Sequence, residues 1–193
     1  MWMDEYCSMK IVCIRYGEPD KSKVEERGFI GHGRDLAPLS QKGIEQAESV
    51  SFDPVLSGAE LIVSSPYTRA LQTAAIISRN TGIKINVELD IHEFIPDKTF
   101  RIKTVKEDEL LHAEFIRFKG SYPSGAVCKW ETIDEMIGRI KPVFDRYVDA
   151  GYQKIIVVAH GGIIRRLTGK TVIDHAEVSE IDYCKEFIYH GWI

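Results

Sequence analysis

Three short apolar runs constrain this chain more than any other feature: KIVCIR at 10–15, ELIVSS at 60–65 and KIIVVAH at 154–160. They are rich in β-branched side chains and lack the polar alternation of a strand with one wet face. Such runs read as strands covered on both sides, the pattern of a parallel sheet held between helix layers. Helical patterns lie between them, over about 40–51, 66–80, 105–118 and 133–148. The alternation predicts an α/β fold, a three-layer α/β/α sandwich whose central sheet is largely parallel. The stretch IDYCKEFIYH at 181–190 is expected to add a last edge strand.

Local chemistry marks several boundaries. Ser65 followed by Pro66 reads as a helix cap and first helical residue, and Thr132 with Glu135 has capping-box spacing. Gly82 is expected to stop the second helix, and Pro142 to kink or split the helix that contains it. Segment 20–38, DKSKVEERGFIGHGRDLAP, is rich in glycine and charge, has no period, and reads as a long loop. With 193 residues the chain is sized for one well-buried core, so residues 9–193 read as a single domain and 1–8 as an N-terminal extension.

A formal net charge of −4 argues against a nucleic-acid partner while still permitting a locally positive pocket. No run approaches the roughly 20 apolar residues of a membrane span, and the first residues lack the blocks of a signal peptide. Cys7, Cys13, Cys128 and Cys184 have neither zinc-site nor redox-motif spacing. These features point to a cytoplasmic protein with reduced thiols and no membrane partner.

In open α/β sheets, ligands bind in the crevice beyond the carboxyl ends of the parallel strands. That rule gathers RYGE (15–18), SSPYTRALQT (64–73) and AHGG (159–162), and so brings Arg15, Tyr16, Glu18, Arg69 and His160 to one place. Two arginines there suit a dianion such as a phosphoryl group, because each guanidinium fork donates paired hydrogen bonds. If a helix begins at Gly161, the backbone N–H groups of Gly161 and Gly162 add donors and a favourable dipole end.

These segments resemble, in order, the motifs of the histidine phosphatase superfamily, the phosphoglycerate-mutase-like group. RYGE stands against Arg-His-Gly-Glu, LSQKGIEQA against Leu-Ser/Thr-x-x-Gly-x-x-Gln-Ala, SSPYTRALQTA against Ser-Ser-Pro-x-x-Arg-Ala-x-Gln-Thr-Ala, and VVAHGG against the late His-Gly. The resemblance implies that a histidine attacks phosphorus, with no metal and no cofactor. It implies a phosphate pocket made by Arg15, Arg69, His160 and Gly161, with Glu18 beside it and Glu93, in LDIHEFIPD, as general acid.

The position of the nucleophilic histidine is held by Tyr16. A neutral imidazole offers a lone pair at neutral pH, whereas an ordinary phenol titrates near 10. Turnover is therefore expected to be absent or severely reduced. Two readings follow: an impaired phosphatase acting on or binding a phosphorylated small molecule, or a non-catalytic pseudophosphatase that binds a phosphate ligand or a partner. His32 reads as a solvated loop histidine, while His92, His112, His175 and His190 show no ligand spacing.

Overall fold

The computed structural model describes residues 8–193. The expected extension therefore lies, apart from Ser8, outside the described residues, as does Cys7. The strands are β1 (Met9–Arg15), β2 (Leu61–Ser64), β3 (Ile85–Val87), β4 (Lys154–Ala159) and β5 (Val178–Tyr183). They form one sheet in the order β3-β2-β4-β1-β5, parallel throughout except for β5, which runs antiparallel to β1 at the edge.

The helices are α1 (Ser22–Glu26), α2 (Gln41–Val50), α3 (Thr68–Thr81), α4 (Val105–Arg117), α5 (Ile133–Asp149) and α6 (Gly161–Thr168). Strand side chains alternate between two cores, as a two-residue period requires. Ile11, Cys13, Val63, Ile155 and Val157 pack with α5 and α6 residues such as Ile140, Phe144 and Ile163. Val12, Ile14, Ile62, Ile156 and Val158 pack on the other face with Ala70, Ala74 and Ile77 of α3. The continuous apolar runs are thus explained by two covered faces, in the expected three layers.

Gly82 ends α3 with φ 76°, and Thr132 and Glu135 form the reciprocal capping box at the start of α5. Four expectations are corrected. Helix α3 begins at Thr68 rather than Pro66, because the Ser65 hydroxyl accepts from the Tyr67 N–H (3.3 Å) and also meets the His160 ring (2.7 Å). Pro142 does not split α5, which runs through it from Ile133 to Asp149. A buried face of Met136, Ile140, Val143, Phe144 and Tyr147 holds it against the interior-proline penalty of about 3 kcal/mol. The edge strand overlaps 181–190 only at its first three residues, since Val178–Tyr183 pair with β1 and the chain beyond Tyr183 instead packs Phe187 and Tyr189 on that ring. Segment 20–38 contains α1 and a 3-10 turn, Gly31–Leu36. Among the described residues no helix is long and apolar enough to cross a membrane.

Candidate active site

The parallel ladder continues one residue past the strands. The Tyr16 N–H donates to the Ala159 carbonyl (3.2 Å) and the Ser65 N–H to the Val158 carbonyl (3.0 Å). Tyr16, Ser65 and His160 therefore leave the sheet side by side. Alternation aims Tyr16 and His160 at the face covered by α3, whose first turn carries Arg69.

The Tyr16 and His160 rings meet edge-on with centroids 5.2 Å apart. The Arg69 guanidinium carbon lies 4.8 Å from the centre of the Tyr16 ring, and that of Arg15 lies 5.4 Å from it. Arg15, Arg69 and His160 thus converge on the phenol. Both ring nitrogens of His160 are engaged, Nε2 with Ser65 Oγ (2.7 Å) and Nδ1 with Arg69 Nη2 (3.2 Å). A guanidinium only donates, so Nδ1 accepts and the neutral ring carries its proton on Nε2, donating to Ser65. Burial, and then the Arg69 charge, holds His160 well below the usual histidine range. Burial, with Arg139 next for His92 and Arg15 next for His175, lowers those two histidines in the same way. The positive charge at this end of the sheet is therefore arginine charge.

The 3-10 turn Gly31–Leu36 supplies two groups that the sequence reading left aside. Asp35 Oδ1 accepts from Arg69 Nη1 (3.0 Å), and Asp35 Oδ2 faces His32 Nδ1 (3.3 Å). A carboxylate thus occupies one edge of the guanidinium fork that an external anion would use. His32 is not a freely solvated loop residue: its Nδ1 also lies 3.4 Å from the Tyr67 hydroxyl, and Phe100 covers its ring at 4.8 Å. In a 3-10 turn, residues three apart eclipse one another, and the His-x-x-Asp spacing of GHGRD is the signal that would have found this pair.

The Asp35 contact raises the His32 pKa above 6.5, opposed by burial. A raised folded-state value means stability that is fully present below the unfolded pKa and lost as pH climbs through the folded one. The melting temperature of the protein should therefore exceed that of its His32→Gln variant by more at about pH 5.5 than at about pH 8.5. Equal differences at the two ends would show that His32 and Asp35 do not interact in the folded state.

Glu93 sits over the first turn of α6. Its carboxylate accepts from the Phe94 N–H (2.9 Å) and, at 3.4 Å, from the Gly162 N–H. A Cβ at Gly162 would stand 2.3 Å from Glu93 Oε1, so the glycine is what admits the carboxylate. The segment carrying Glu93 is held by Arg139 of α5, which pairs through Nε and Nη2 with the buried Glu131 (2.6 and 3.0 Å) and donates to the Asp90 and Glu93 carbonyls. Glu18 faces elsewhere, its carboxylate accepting from Ser40 (3.1 Å) and Lys42 (2.9 Å) at the start of α2. Gly161 opens α6, with His160 as its N-cap.

His175 is another neighbour that spacing did not reveal, its ring 5.6 Å from that of Tyr16. It is placed by Ala176, which takes the left-handed conformation (φ 59°) and directs its N–H to the Arg15 and Tyr16 carbonyls.

The family profile described as the histidine phosphatase superfamily (branch 1) matches residues 11–185. The chain belongs to that superfamily. A relative named "Putative phosphoserine phosphatase 2", from Hydrogenobacter thermophilus, is 26% identical over 89% of this chain and 88% of its own length. Among solved structures, a mycobacterial glucosyl-3-phosphoglycerate phosphatase superposes with a TM-score of 0.69 at 19% identity, covering 96% of this chain and 98% of that one. A phosphoglycerate mutase from Bacillus anthracis gives 0.67 at 20% identity, covering 95% and 91%. Both structural likenesses bear on the fold alone.

Proposed function

We propose that this protein binds the phosphoryl group of a small phosphomonoester at the carboxyl ends of β1 and β4, and that Tyr16 leaves it severely impaired as a phosphatase. The observation that carries this reading is the convergence of Arg15 and Arg69 on one buried aromatic ring beside His160. Arg15 has no carboxylate partner among the described residues and Arg69 shares only one edge of its fork with Asp35, so an external anion still has two guanidinium groups to use. In this reading Arg15, Arg69 and the Gly161 N–H hold the phosphoryl oxygens. His160 lies against the pocket and fixes the Arg69 fork through Nδ1. Glu93, above the first turn of α6, is placed to give a proton to the leaving group. The phosphatase names of the relatives support a phosphorylated small molecule as the ligand class.

The second reading is a pseudophosphatase, which keeps this pocket for binding alone. Tyr16 favours it, because the phenol stands where the reacting imidazole of the family would stand. The two readings share the pocket, so binding is tested first. Inorganic phosphate at about a hundred times its Kd should stabilise the fold by about 2.7 kcal/mol. For a chain of this size that raises the melting temperature by roughly 5–10 °C. Asp35→Asn, which takes the competing negative charge off Arg69, should bind phosphate about tenfold more tightly. Absence of any shift at millimolar phosphate, with Arg69→Met behaving as the parent does, would dispose of the pocket.

A further inference from the structure

Next to the arginine cluster lies a cavity of about 890 Å³, bounded by the Gly31–Leu36 turn, α4, the start of α5, α6 and Trp192. It adjoins the proposed phosphate site, because Asp35, which lines it, is bonded to Arg69, and Gly162 of its lining follows Gly161 in the first turn of α6. Its walls are largely apolar and include Phe94, Phe115, Ile116, Met136 and Trp192. Into this lining comes Arg166 of α6, only 5% exposed. Among the described residues its side chain makes no hydrogen bond and no ion pair, and its Nε is buried with no acceptor.

The acidic groups around the cavity do not explain it. Asp35 is bonded to Arg69, Asp108 lies 3.9 Å from Arg34, Glu93 accepts the Phe94 and Gly162 N–H groups while favouring the Arg166 charge from beyond ion-pair distance, and Glu109 makes no ion pair with it. Burial lowers the pKa of Arg166, but a guanidinium stays charged. A guanidinium this buried, with its Nε lacking an acceptor and no carboxylate of the described residues in ion-pair contact, is costly to hold unless a counter-charge is brought to it. The neighbouring Arg165 borders the same cavity and adds repulsion.

We propose that Arg166 binds a carboxylate on the organic part of the phosphomonoester, making the ligand a phosphorylated acid with an apolar or aromatic body. This rests on the phosphate reading above and adds to it the class of leaving group. One guanidinium matches one planar monoanion in a paired geometry, whereas a second phosphate dianion would call for more cations than this single buried fork. Six residues separate His160 from Arg166, about 9 Å along a helix axis. The side chain leans back toward the helix N-terminus, which shortens the span between phosphoryl and carboxylate.

The test is calorimetric titration of the full chain and of Arg166→Met with inorganic phosphate, phenyl phosphate and 4-carboxyphenyl phosphate. In the parent chain the carboxylated ester should bind at least about tenfold more tightly than phenyl phosphate, as a charge-assisted pair warrants. In Arg166→Met that gap should close to about twofold or less, with inorganic phosphate binding unchanged. Unliganded Arg166→Met should melt no lower than the parent, because it loses a charge that has no partner. Equal affinity of the parent for the two aryl phosphates, with phosphate itself binding, overturns this assignment and leaves the phosphate reading intact. Failure of all three probes to bind removes both. A gap that persists in Arg166→Met overturns it as well, and with a melting point lowered by several degrees it assigns Arg166 to the fold.

Discussion

Tyr16→His should raise hydrolysis of an aryl phosphate at neutral pH, without added metal, by about 10³-fold or more over the chain as it stands. The scale comes from enzymes with covalent intermediates, where loss of the nucleophile costs about 10⁴- to 10⁶-fold in turnover. The other groups of the proposed site are held by contacts among themselves. Arg69 is fixed by His160 and Asp35, His160 is fixed by Ser65, and Glu93 stands over the start of α6. What the proposed chemistry lacks is a strongly nucleophilic nitrogen in the place of the Tyr16 ring, and an imidazole brings one. The measurement is kcat/KM with p-nitrophenyl phosphate for the parent, Tyr16→His and Tyr16→Phe. A silent Tyr16→His that still binds phosphate would leave the pseudophosphatase reading standing alone. Parent turnover that Tyr16→Phe abolishes would make the phenol itself the nucleophile.

Gly43→Ala should be among the most destabilising single-methyl changes in the protein. The loop leaving β1 lies directly on the first turn of α2, backbone against backbone. A Cβ at Gly43 would stand 2.1 Å from the Glu18 carbonyl oxygen, and one at Gly17 would stand 2.3 Å from that of Gly43. Neither obstacle is a flexible side chain, so the two segments must separate. That also strains the bonds tying them together, from Glu18 N–H to Gln46 Oε1 and from Ser40 N–H to the Glu18 carbonyl. Overpacking of this kind costs about 3 kcal/mol, toward the upper end of its usual range. The melting temperature should fall by roughly 6–12 °C. Gly138→Ala is the control: it sits inside α5 with open space around the added methyl, and should stabilise by about 0.5–1 kcal/mol. If both alanines shift the melting point alike, close packing of Gly17 on Gly43 is not what makes the residue matter. Because Gly17 follows Tyr16 directly, a shifted loop would also move the phenol.

Much of the architecture was legible because it rests on local patterns. The two-sided apolar runs, the glycine at the end of α3 and the Thr132 capping box each act over a few residues. Pro142 misled for the complementary reason: its local penalty is real, but the buried face of α5 outweighs it, and that face exists only once the sheet is assembled. Ser65 read as a cap for the same kind of reason. Its hydroxyl meets a histidine 95 residues away, and no local rule announces that partner.

By itself the sequence determined the strands with two covered faces, the order of the motifs along them, and the placing of a phenol directly after the first strand, at position 16. These follow from side-chain chemistry and from the periods of helix and strand, which are properties of the chain read in order. Only the tertiary structure decided which charges meet. Asp35 on Arg69, His175 beside Tyr16, and an Arg166 Nε without an acceptor among the described residues depend on loops and helices brought together by the sheet. Electrostatic energy varies with distance and burial rather than with sequence separation, so those pairings had no signature until the chain was folded.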